Sequence, residues 1–517
     1  LASPAHSNEW AIYNADLIDE NGRHGIASFL TPRIGLQSMT DPDVAEYKIL
    51  LAKAGGIDAF LLENSLGPAY SNFAAVGRKA GFSILGVISY PREPGIDPEE
   101  FQKRIDGYSE DPAWLKMGDR PLFFVWKTKD SLRARIGSTS LAGGVKPVYF
   151  YWSLLQGDWT GSEVRFQGFK DIQATFRQGF EYQPWIVPRL RPVGKELSSW
   201  DHHATSEDAA AHLEFIKKEM EKEPRFRTVP MACVYPGMDN RPCAAWGRSL
   251  AFVPDLDGKT YRSLWQKVLE HRDFFKAVYI ATWDDWTETT GIEPTLERGG
   301  RDLLITQEAA CAFKGIPRPS PKLLELPEPL FILRKKSEML KKMGMGVQAF
   351  DADLDACAKQ IAAFQVEPAE GLLASAEKKC TELFSRLPPQ KTEKIPLTAG
   401  RKAKDLQAFS LDPELKKQIA GKYFEATLSF DFLDRGFEKW KIFGATRRVS
   451  PDGLGNFSNI ASVVCGDSGT WRSARVRVFP ENTDFLTPLE NGSDIGVEGS
   501  VEIARLELRV SYYPGGK

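Results

Sequence analysis

Residues 278–288 read VYIATWDDWTE and show how the N-terminal part of the chain is organised. The first six residues are apolar or β-branched, as in a buried strand. They lead directly into three carboxylates, Asp284, Asp285 and Glu288. In barrels of parallel strands, functional side chains follow the carboxyl ends of the strands. The segment therefore predicts the end of a parallel strand with an acidic loop after it.

Seven further segments upstream have the same strand pattern, separated by longer amphipathic stretches. The eight predicted strands are residues 10–15, 57–62, 83–88, 122–126, 148–152, 180–186, 229–235 and 278–283. Helical patterns cover residues 43–54, 98–108, 206–222 and 260–275, and Asp41 or Thr40 can cap the first. This α/β pattern predicts a (β/α)8 TIM barrel. A doubly wound sheet is the alternative, although no glycine-rich nucleotide fingerprint follows any strand.

The composition changes twice beyond the predicted barrel. Five prolines between residues 316 and 329 end the α/β pattern, and a stretch rich in Ala, Lys and Glu predicts two or three helices to about residue 385. From about residue 400, apolar and polar residues alternate between Gly, Asp and Asn clusters, which predicts a β-sandwich. The expected domains are a barrel (1–318), a helical extension (319–395) and a C-terminal β-sandwich (396–517).

Composition and charge exclude several function classes. The chain has 517 residues, 42% of them hydrophobic and 26% charged, with a net charge of −2. Without a basic block, electrostatics gives no reason to expect a nucleic-acid partner. We also find no run of about 18 apolar residues that would span a membrane. No spacing among the six cysteines predicts a metal site. The sequence does not decide whether Cys357 and Cys380 form a disulfide.

The acidic loop suits the chemistry of glycosidic bond cleavage. Such cleavage uses two carboxyl groups, one that protonates the leaving oxygen and one that acts as base or nucleophile. Crowded carboxylates raise the pKa of at least one member, as a general acid requires. Thirteen tryptophans, several beside polar residues, can stack on sugar rings or fill cores. A solvated acidic loop and a cation site are the alternative interpretations.

Residues 283–294 read WDDWTETTGIEP and resemble the Trp-Asn-Glu-Trp-x-Glu-Gly-x-x-Ile-Glu-Pro signature of family 99 glycoside hydrolases. Their relatives include the endo-α-mannosidases, the WbsX-like proteins of polysaccharide gene clusters and, more distantly, the family 71 α-1,3-glucanases. Three other stretches are similar to the family in the expected order: AGGIDAF at 54–60, DPAWLKMGDRP at 111–121 and YPGMDNR at 235–241. The resemblance covers about residues 10–315.

The resemblance implies roles for two residues of the loop. Asp285 takes the place of the first catalytic Glu of the family, and Glu288 takes the place of the second. In the mannosidases the first acts as base on the 2-hydroxyl of the substrate, and the second is the general acid and then base. Asp285 is one methylene shorter than Glu, which shortens its hydrogen-bond reach and leaves room for a water and inversion.

Further substrate-binding candidates lie at the predicted strand ends or inside the signature. They are Glu63, Asn64, Lys127, Tyr182, Trp185, Asp239, Asn240, Arg241, Trp283, Trp286 and Glu293. Arg241 can pair with a carboxylate or bind a sulfate or uronate group on the glycan. Adjacent histidines in a strand point to opposite faces, so His202 and His203 are not expected to bind one metal. No cofactor or metal is expected, because two carboxylates suffice for hydrolysis.

The resemblance favours an endo-acting glycoside hydrolase whose substrate is an α-mannan, an α-glucan or a sulfated or anionic polysaccharide. A chain that begins at Leu1 fits a secreted or periplasmic protein with its signal peptide removed. The sandwich then serves as an accessory domain that binds carbohydrate or has a structural role. The alternatives are a catalytically inactive glycan-binding barrel and a WbsX-like protein of polysaccharide biosynthesis. The sequence does not predict the oligomeric state.

Overall fold

The computed structural model describes residues 17–26, 28–62, 68–89, 107–108, 110–117, 120–126, 148–154, 181–185, 191–192, 201–203, 205–222, 230–242, 250–396, 398–399, 406–420, 422–437, 439–445, 457–478 and 493–513. The helices, in chain order, are α1 Pro42–Ala54, α2 Pro68–Ala80, α3 Ser206–Lys222, α4 Lys259–Glu270, α5 Arg301–Lys314, α6 Pro327–Lys342, α7 Gln348–Ala362, α8 Val366–Ser385 and α9 Pro413–Ile419. A 3₁₀ turn covers Pro321–Leu324.

The strands, in chain order, are β1 Leu17–Asp19, β2 Ala59–Leu62, β3 Ser83–Ser89, β4 Lys116–Met117, β5 Arg120–Trp126, β6 Val148–Leu154, β7 Glu181–Trp185, β8 Arg191–Pro192, β9 Asp201–His203, β10 Met231–Val234, β11 Met238–Asp239, β12 Leu250–Val253 and β13 Ala277–Ile280. The C-terminal part contains β14 Lys391–Pro396, β15 Thr398–Ala399, β16 Leu406–Ser410, β17 Phe424–Leu433, β18 Lys439–Ala445, β19 Phe457–Val464, β20 Trp471–Val478, β21 Ile495–Glu498 and β22 Ile503–Tyr512.

Parallel strands form the N-terminal part. β2, β3, β5, β6 and β7 lie side by side in that order, and every neighbouring pair is parallel. β10 and β13 form a second parallel pair. Each of these seven strands overlaps one of the eight predicted segments, although β13 ends at Ile280, three residues before the predicted end at 283. The remaining prediction, residues 10–15, lies outside the described residues.

The last helix of the α/β part packs beside the first, as closure of a ring requires. The Gln307 side chain of α5 donates to the main-chain carbonyl of Ala54 at the end of α1, at 2.9 Å. Lys314 Nζ donates to the Gly56 carbonyl at 2.7 Å. A Cβ at Gly55 would stand 2.6 Å from Leu303 Cδ1, so a side chain there would require the Leu303 side chain to move. Parallel strands closed by these helices indicate a TIM-barrel-type fold.

The helix ends in the structure agree with the predicted ends for some helices and differ for others. Asp41 caps α1, because its side chain accepts from the Asp43 N–H at 2.9 Å. α3 covers the predicted residues 206–222. α4 ends at Glu270, before the predicted end at 275, because the His271 N–H bonds to the Val268 carbonyl and tightens the last turn. Most of the helix predicted at 98–108 lies outside the described residues.

The helical extension is attached to α1 of the barrel. α6, α7 and α8 share a hydrophobic cluster that also includes Leu50 of α1. Arg334 of α6 binds the Glu46 carboxylate through two nitrogens, at 2.9 and 3.0 Å. Cys357 and Cys380 are buried free thiols in this layer. None of the helices that the structure describes combines the length and apolar character needed to cross a bilayer.

Two five-stranded antiparallel sheets make up the C-terminal part. Their orders are β1-β20-β17-β22-β14 and β15-β16-β21-β18-β19, and both contribute to one hydrophobic cluster. Phe430 of β17 and Trp440 of β18 make an edge-to-face contact between the sheets, with ring centroids 5.4 Å apart. β1 pairs with β20, so residues 17–19 complete a C-terminal sheet although the sequence assigned them to the barrel.

Candidate active site

The segment after β13, residues 281–293, is called the β13 loop. Its turn is shaped by its own side chains: Asp285 N–H donates to Thr282 Oγ1 at 2.9 Å. The Asp285 carboxylate accepts through Oδ1 from the Glu288 N–H at 2.9 Å and from Thr287 Oγ1 at 3.1 Å. Side chains that bond to nearby main-chain groups stabilise turns in this way. The two predicted catalytic residues therefore share one hydrogen-bonded turn.

The segment after β10, residues 235–241, is called the β10 loop, and it contacts the other side of this turn. The Asp239 N–H donates to the Glu288 carbonyl at 2.9 Å, and Thr289 Oγ1 donates to the Asp239 carbonyl at 2.7 Å. The contact follows from the fold, because β10 and β13 are parallel neighbours and their loops leave from the same end. Glu288 is partly exposed, and its main chain is held at both N–H and C=O.

Asp239 and Arg241 form an ion pair within the β10 loop. Arg241 Nε donates to Asp239 Oδ1 at 2.8 Å, and its terminal nitrogen bonds to Oδ2. These hydrogen bonds raise the pKa of Arg241. The guanidinium lies 4.9 Å from the centre of the Phe29 ring, and the Arg241 side chain is 62% exposed. Asn240, between the two, is buried.

A buried lysine joins the two ends of the β13 loop. Lys48 of α1 has a side chain only 2% exposed, and its Nζ lies 2.5 Å from Asp284 Oδ2 and 3.2 Å from Glu293 Oε2. Trp283 Nε1 donates to Glu293 Oε2 at 2.9 Å, and the Gln37 side-chain amide donates to Oε1. Both oxygens of the Glu293 carboxylate therefore have donors.

The charges in this cluster act on one another. Burial opposes the charge on Lys48, but Asp284 and Glu293 together outweigh it and raise the pKa of the Lys48 ammonium. Burial raises the pKa of Glu293, with Lys48 acting in the opposite direction. Lys48 was not among the residues predicted from the sequence. The signal that could have found it is a single charged residue in the stretch YKILLA, residues 47–52 of α1, all of which are buried.

Three predicted substrate-binding residues of the signature lie in different surroundings. Trp283 is partly exposed, and its ring packs edge-to-face on Phe60 with centroids 4.9 Å apart. Trp286 is 2% exposed and packs against Leu30. Glu293 is fully buried in the Lys48 cluster. The β13 loop folds back onto residues 30–37, so the burial of Trp286 and Glu293 favours packing and ion pairing over stacking on substrate.

Other predicted residues fall where the structure gives less detail. Glu63, Asn64 and Lys127 lie outside the described residues. Tyr182 and Trp185 are in β7, of which the backbone is described. His202 and His203 are adjacent in β9, of which the backbone is described.

One group among the described residues has the spacing of metal ligands. Glu214, Glu270 and His271 bring one ligand atom each to within 4.8 Å of one another. His271 Nε2 bonds to Glu214 Oε1 at 2.6 Å, and Lys267 lies 2.5 Å from Glu270 Oε2. The group lies near the start of β13, at the opposite end of the strand from the β13 loop. Lys267 supplies its positive charge, so the geometry gives no reason to assign an ion.

Gly237 in the β10 loop is expected to be intolerant of a side chain. A Cβ there would stand 2.9 Å from the Val253 carbonyl oxygen and 3.0 Å from the Asp255 nitrogen, both main-chain atoms. We expect Gly237→Ala to lower the free energy of unfolding by about 2–3 kcal/mol, measured by urea denaturation. Gly22→Ala is the control, because Gly22 also has a positive φ but nothing within 4 Å. Equal losses in the two variants would contradict this account.

Comparison with known proteins gives relatives of low identity. No family model matches the chain. Two curated relatives, both named "Uncharacterized protein WxcX" and from two strains of Xanthomonas campestris pv. campestris, are 24% identical over 223 residues. The match covers 41% of this chain and 30% of each relative, so the chain spans less than a third of their length.

Solved structures give a second comparison. A family 99 endo-α-mannosidase from Bacteroides thetaiotaomicron, in complex with BIS-TRIS-propane, matches with a TM-score of 0.42 and 16% identity over 57% of this chain and 93% of its own. A second structure of that mannosidase matches with a TM-score of 0.42 and 15% identity, covering 58% of this chain and 92% of its own. A "Glycoside hydrolase-like protein" matches with a TM-score of 0.36 and 11% identity, covering 54% and 89%.

Proposed function

We propose that the chain is a glycoside hydrolase that cleaves within a polysaccharide, with Asp285 and Glu288 of the β13 loop as its catalytic carboxylates. One observation carries the proposal. The two residues occupy the catalytic positions of the family 99 signature, and they share one hydrogen-bonded turn just beyond the carboxyl end of a barrel strand. Active sites of TIM barrels lie at this end of the strands.

The contacts of the two residues suit different roles. Asp285 Oδ1 accepts from two donors, which suits a carboxylate that stays ionised and acts as base or nucleophile. Glu288 stands on a main chain held by Asp285 and Asp239, which suits a general acid that must meet the leaving oxygen at a fixed position. As the glycosidic bond breaks, Glu288 gives its proton to the leaving oxygen, while the Asp285 carboxylate takes the proton of the hydroxyl or water that attacks the anomeric carbon.

The substrate class follows from the resemblance. An α-mannan or α-glucan fits the relatives of the signature. The Arg241 guanidinium is already paired with the Asp239 carboxylate, so it gives no reason to prefer a sulfated or anionic glycan over these two. We place the enzyme outside the cytoplasm, secreted or periplasmic, where such polysaccharides occur. The C-terminal sheets then act as an accessory domain for the same glycan.

Two substitutions at Asp285 separate its catalytic role from its structural one. In Asp285→Asn the side-chain oxygen still accepts from Thr287 and Glu288, so the melting temperature is expected to stay within about 2 °C of wild type. Product release is expected to fall by about 10²-fold or more, because the amide cannot act as a base. Asp285→Ala is expected to lose the turn as well as activity. Full activity in Asp285→Asn would remove Asp285 from the mechanism.

The test of the proposed function is the release of new reducing ends by the wild-type protein. The panel contains α-mannans, α-glucans and sulfated polysaccharides, and the size distribution of the products distinguishes internal cleavage from terminal cleavage. We expect a ladder of oligosaccharides from one class. Retention of the protein by a polysaccharide gel without any product would instead favour the inactive glycan-binding barrel.

A further inference from the structure

Lys48 has no role in the proposed reaction, yet it is a buried cation in contact with the β13 loop. Its side chain is 2% exposed, and the nearest groups to its Nζ are Asp284 Oδ2, Glu293 Oε2 and Met39 Sδ at 3.5 Å. Placing an ammonium group out of water costs several kcal/mol unless opposite charges meet it. Here one cation meets two carboxylates that lie nine residues apart in the β13 loop.

Asp284 explains why a cation is needed at this position. The family 99 signature has a neutral Asn where this chain has Asp284, so the β13 loop carries one additional negative charge. Asp284 directly precedes Asp285 and lies four residues before Glu288. Its side chain is 31% exposed, so its charge is only partly screened by solvent. An uncompensated carboxylate at this position would act on both proposed catalytic groups.

On the basis of the proposed function, we propose that Lys48 is a positioning residue of the β13 loop that ties Asp284 to Glu293 and neutralises Asp284 beside the catalytic carboxylates. Glu293 acts as the fixed end of this link, because its carboxylate also accepts from Trp283 and Gln37. Trp283 in turn packs on Phe60 of β2. The link therefore connects α1, β2 and both ends of the loop.

Other titratable groups lie around the link. Burial, Glu293 and Glu328 raise the pKa of Tyr47, with Arg33 acting in the opposite direction, so its phenol stays neutral at physiological pH. On the far side of the loop, Asp239 is paired with Arg241. Among the residues that the structure describes, the Lys48 ammonium is the cation in contact with the Asp284 carboxylate.

The charges of Lys48 and Asp284 predict the direction in which the pKa of Glu288 changes when either residue is replaced. Lys48→Met leaves the Asp284 charge unopposed, and negative charge disfavours ionisation of nearby carboxyl groups. The pKa of Glu288 is therefore expected to rise by about half a unit to one unit. Asp284→Asn leaves Lys48 in excess and should lower the same pKa. The double variant Lys48→Met/Asp284→Asn loses both charges and should return the pKa to within about 0.3 units of wild type.

The experiment is a ¹³C NMR titration of protein labelled at the Glu carboxyl carbons, with the Glu288 signal assigned by its loss in Glu288→Gln. This readout needs no turnover, so it decides the role of Lys48 even if the wild-type protein releases no sugar and the proposed function fails. A purely structural role for Lys48 would leave the Glu288 pKa the same in all folded variants and would overturn the inference. If Lys48→Met does not fold, the downward shift in Asp284→Asn decides the question.

In an active enzyme the same variants should move the pH dependence of kcat/KM. The acidic and basic sides of the pH profile are both expected at higher pH in Lys48→Met and at lower pH in Asp284→Asn. In the double variant the profile is expected to return to that of wild type. A fall in activity at all pH values without any displacement of the limbs would contradict a role through charge.

Discussion

Lys48→Met is expected to lower the free energy of unfolding by about 3–5 kcal/mol, because removal of one partner leaves a buried charge unpaired. Methionine fills nearly the same volume, so the loss reports the charge and not a cavity. The group left behind is Glu293, whose side chain is fully buried. Urea denaturation at pH 7.5 measures the difference between wild type and variant.

The pH dependence of this loss identifies its cause. Burial already raises the pKa of Glu293, and removal of the cation should raise it further. A carboxyl group whose pKa is raised on folding destabilises the folded state when it is ionised, and this penalty disappears as the pH falls and the group takes up a proton. The deficit of Lys48→Met is therefore expected to be smaller at pH 5 than at pH 7.5.

Two controls accompany this prediction. Lys48→Met/Glu293→Gln removes both charges of the buried pair and should recover most of the lost stability. Lys322→Met changes a lysine that is 65% exposed and should stay within about 0.5 kcal/mol of wild type. If Lys48→Met lowers the free energy of unfolding no more than Lys322→Met does, the contacts of Lys48 with Asp284 and Glu293 do not hold the β13 loop.

Glu288→Gln is expected to lower kcat by about 10²–10⁴-fold, the usual contribution of a general acid. Glutamine has the same shape and keeps the two main-chain contacts of residue 288, to Asp285 Oδ1 and to the Asp239 N–H. The melting temperature should therefore match that of wild type. The loss then reports proton donation and not folding.

A substrate with an activated leaving group sharpens this test. A dinitrophenyl glycoside of the sugar identified from the polysaccharide panel leaves without protonation, so it does not need a general acid. Its hydrolysis should fall much less in Glu288→Gln than hydrolysis of the polysaccharide. Equal losses on both substrates would assign Glu288 a role other than proton donation.

The positions of the barrel strands could be predicted from the sequence, because a buried parallel strand is a short apolar run bounded by polar and turn residues. Residues 278–283 show this pattern together with the acidic loop that follows. Predicted strands 83–88 and 148–152 differ from β3 and β6 by only one or two residues at the carboxyl end. Helix capping was equally local, since Asp41 acts within two residues of its partner.

The Lys48 link could not be predicted in the same way. Lys48 and Asp284 are 236 residues apart, and only closure of the ring brings α1 beside the β13 loop. A pattern of local periodicity contains no information about such a contact.

The surroundings of the two signature tryptophans could not be predicted either. Trp283 and Trp286 both stand beside acidic residues in the sequence, but the fold buries Trp286 against Leu30. The pairing of β1 with β20 is another contact of this long-range kind.

The most direct test of the central claim is release of oligosaccharides from the polysaccharide panel by wild type and Glu288→Gln, measured side by side on folded protein. The account predicts products from one class of polysaccharide with wild type and almost none with the variant. Equal release by both proteins would place the chemistry outside the β13 loop. The absence of products from both, with binding to glycan retained, would contradict the assignment as a hydrolase.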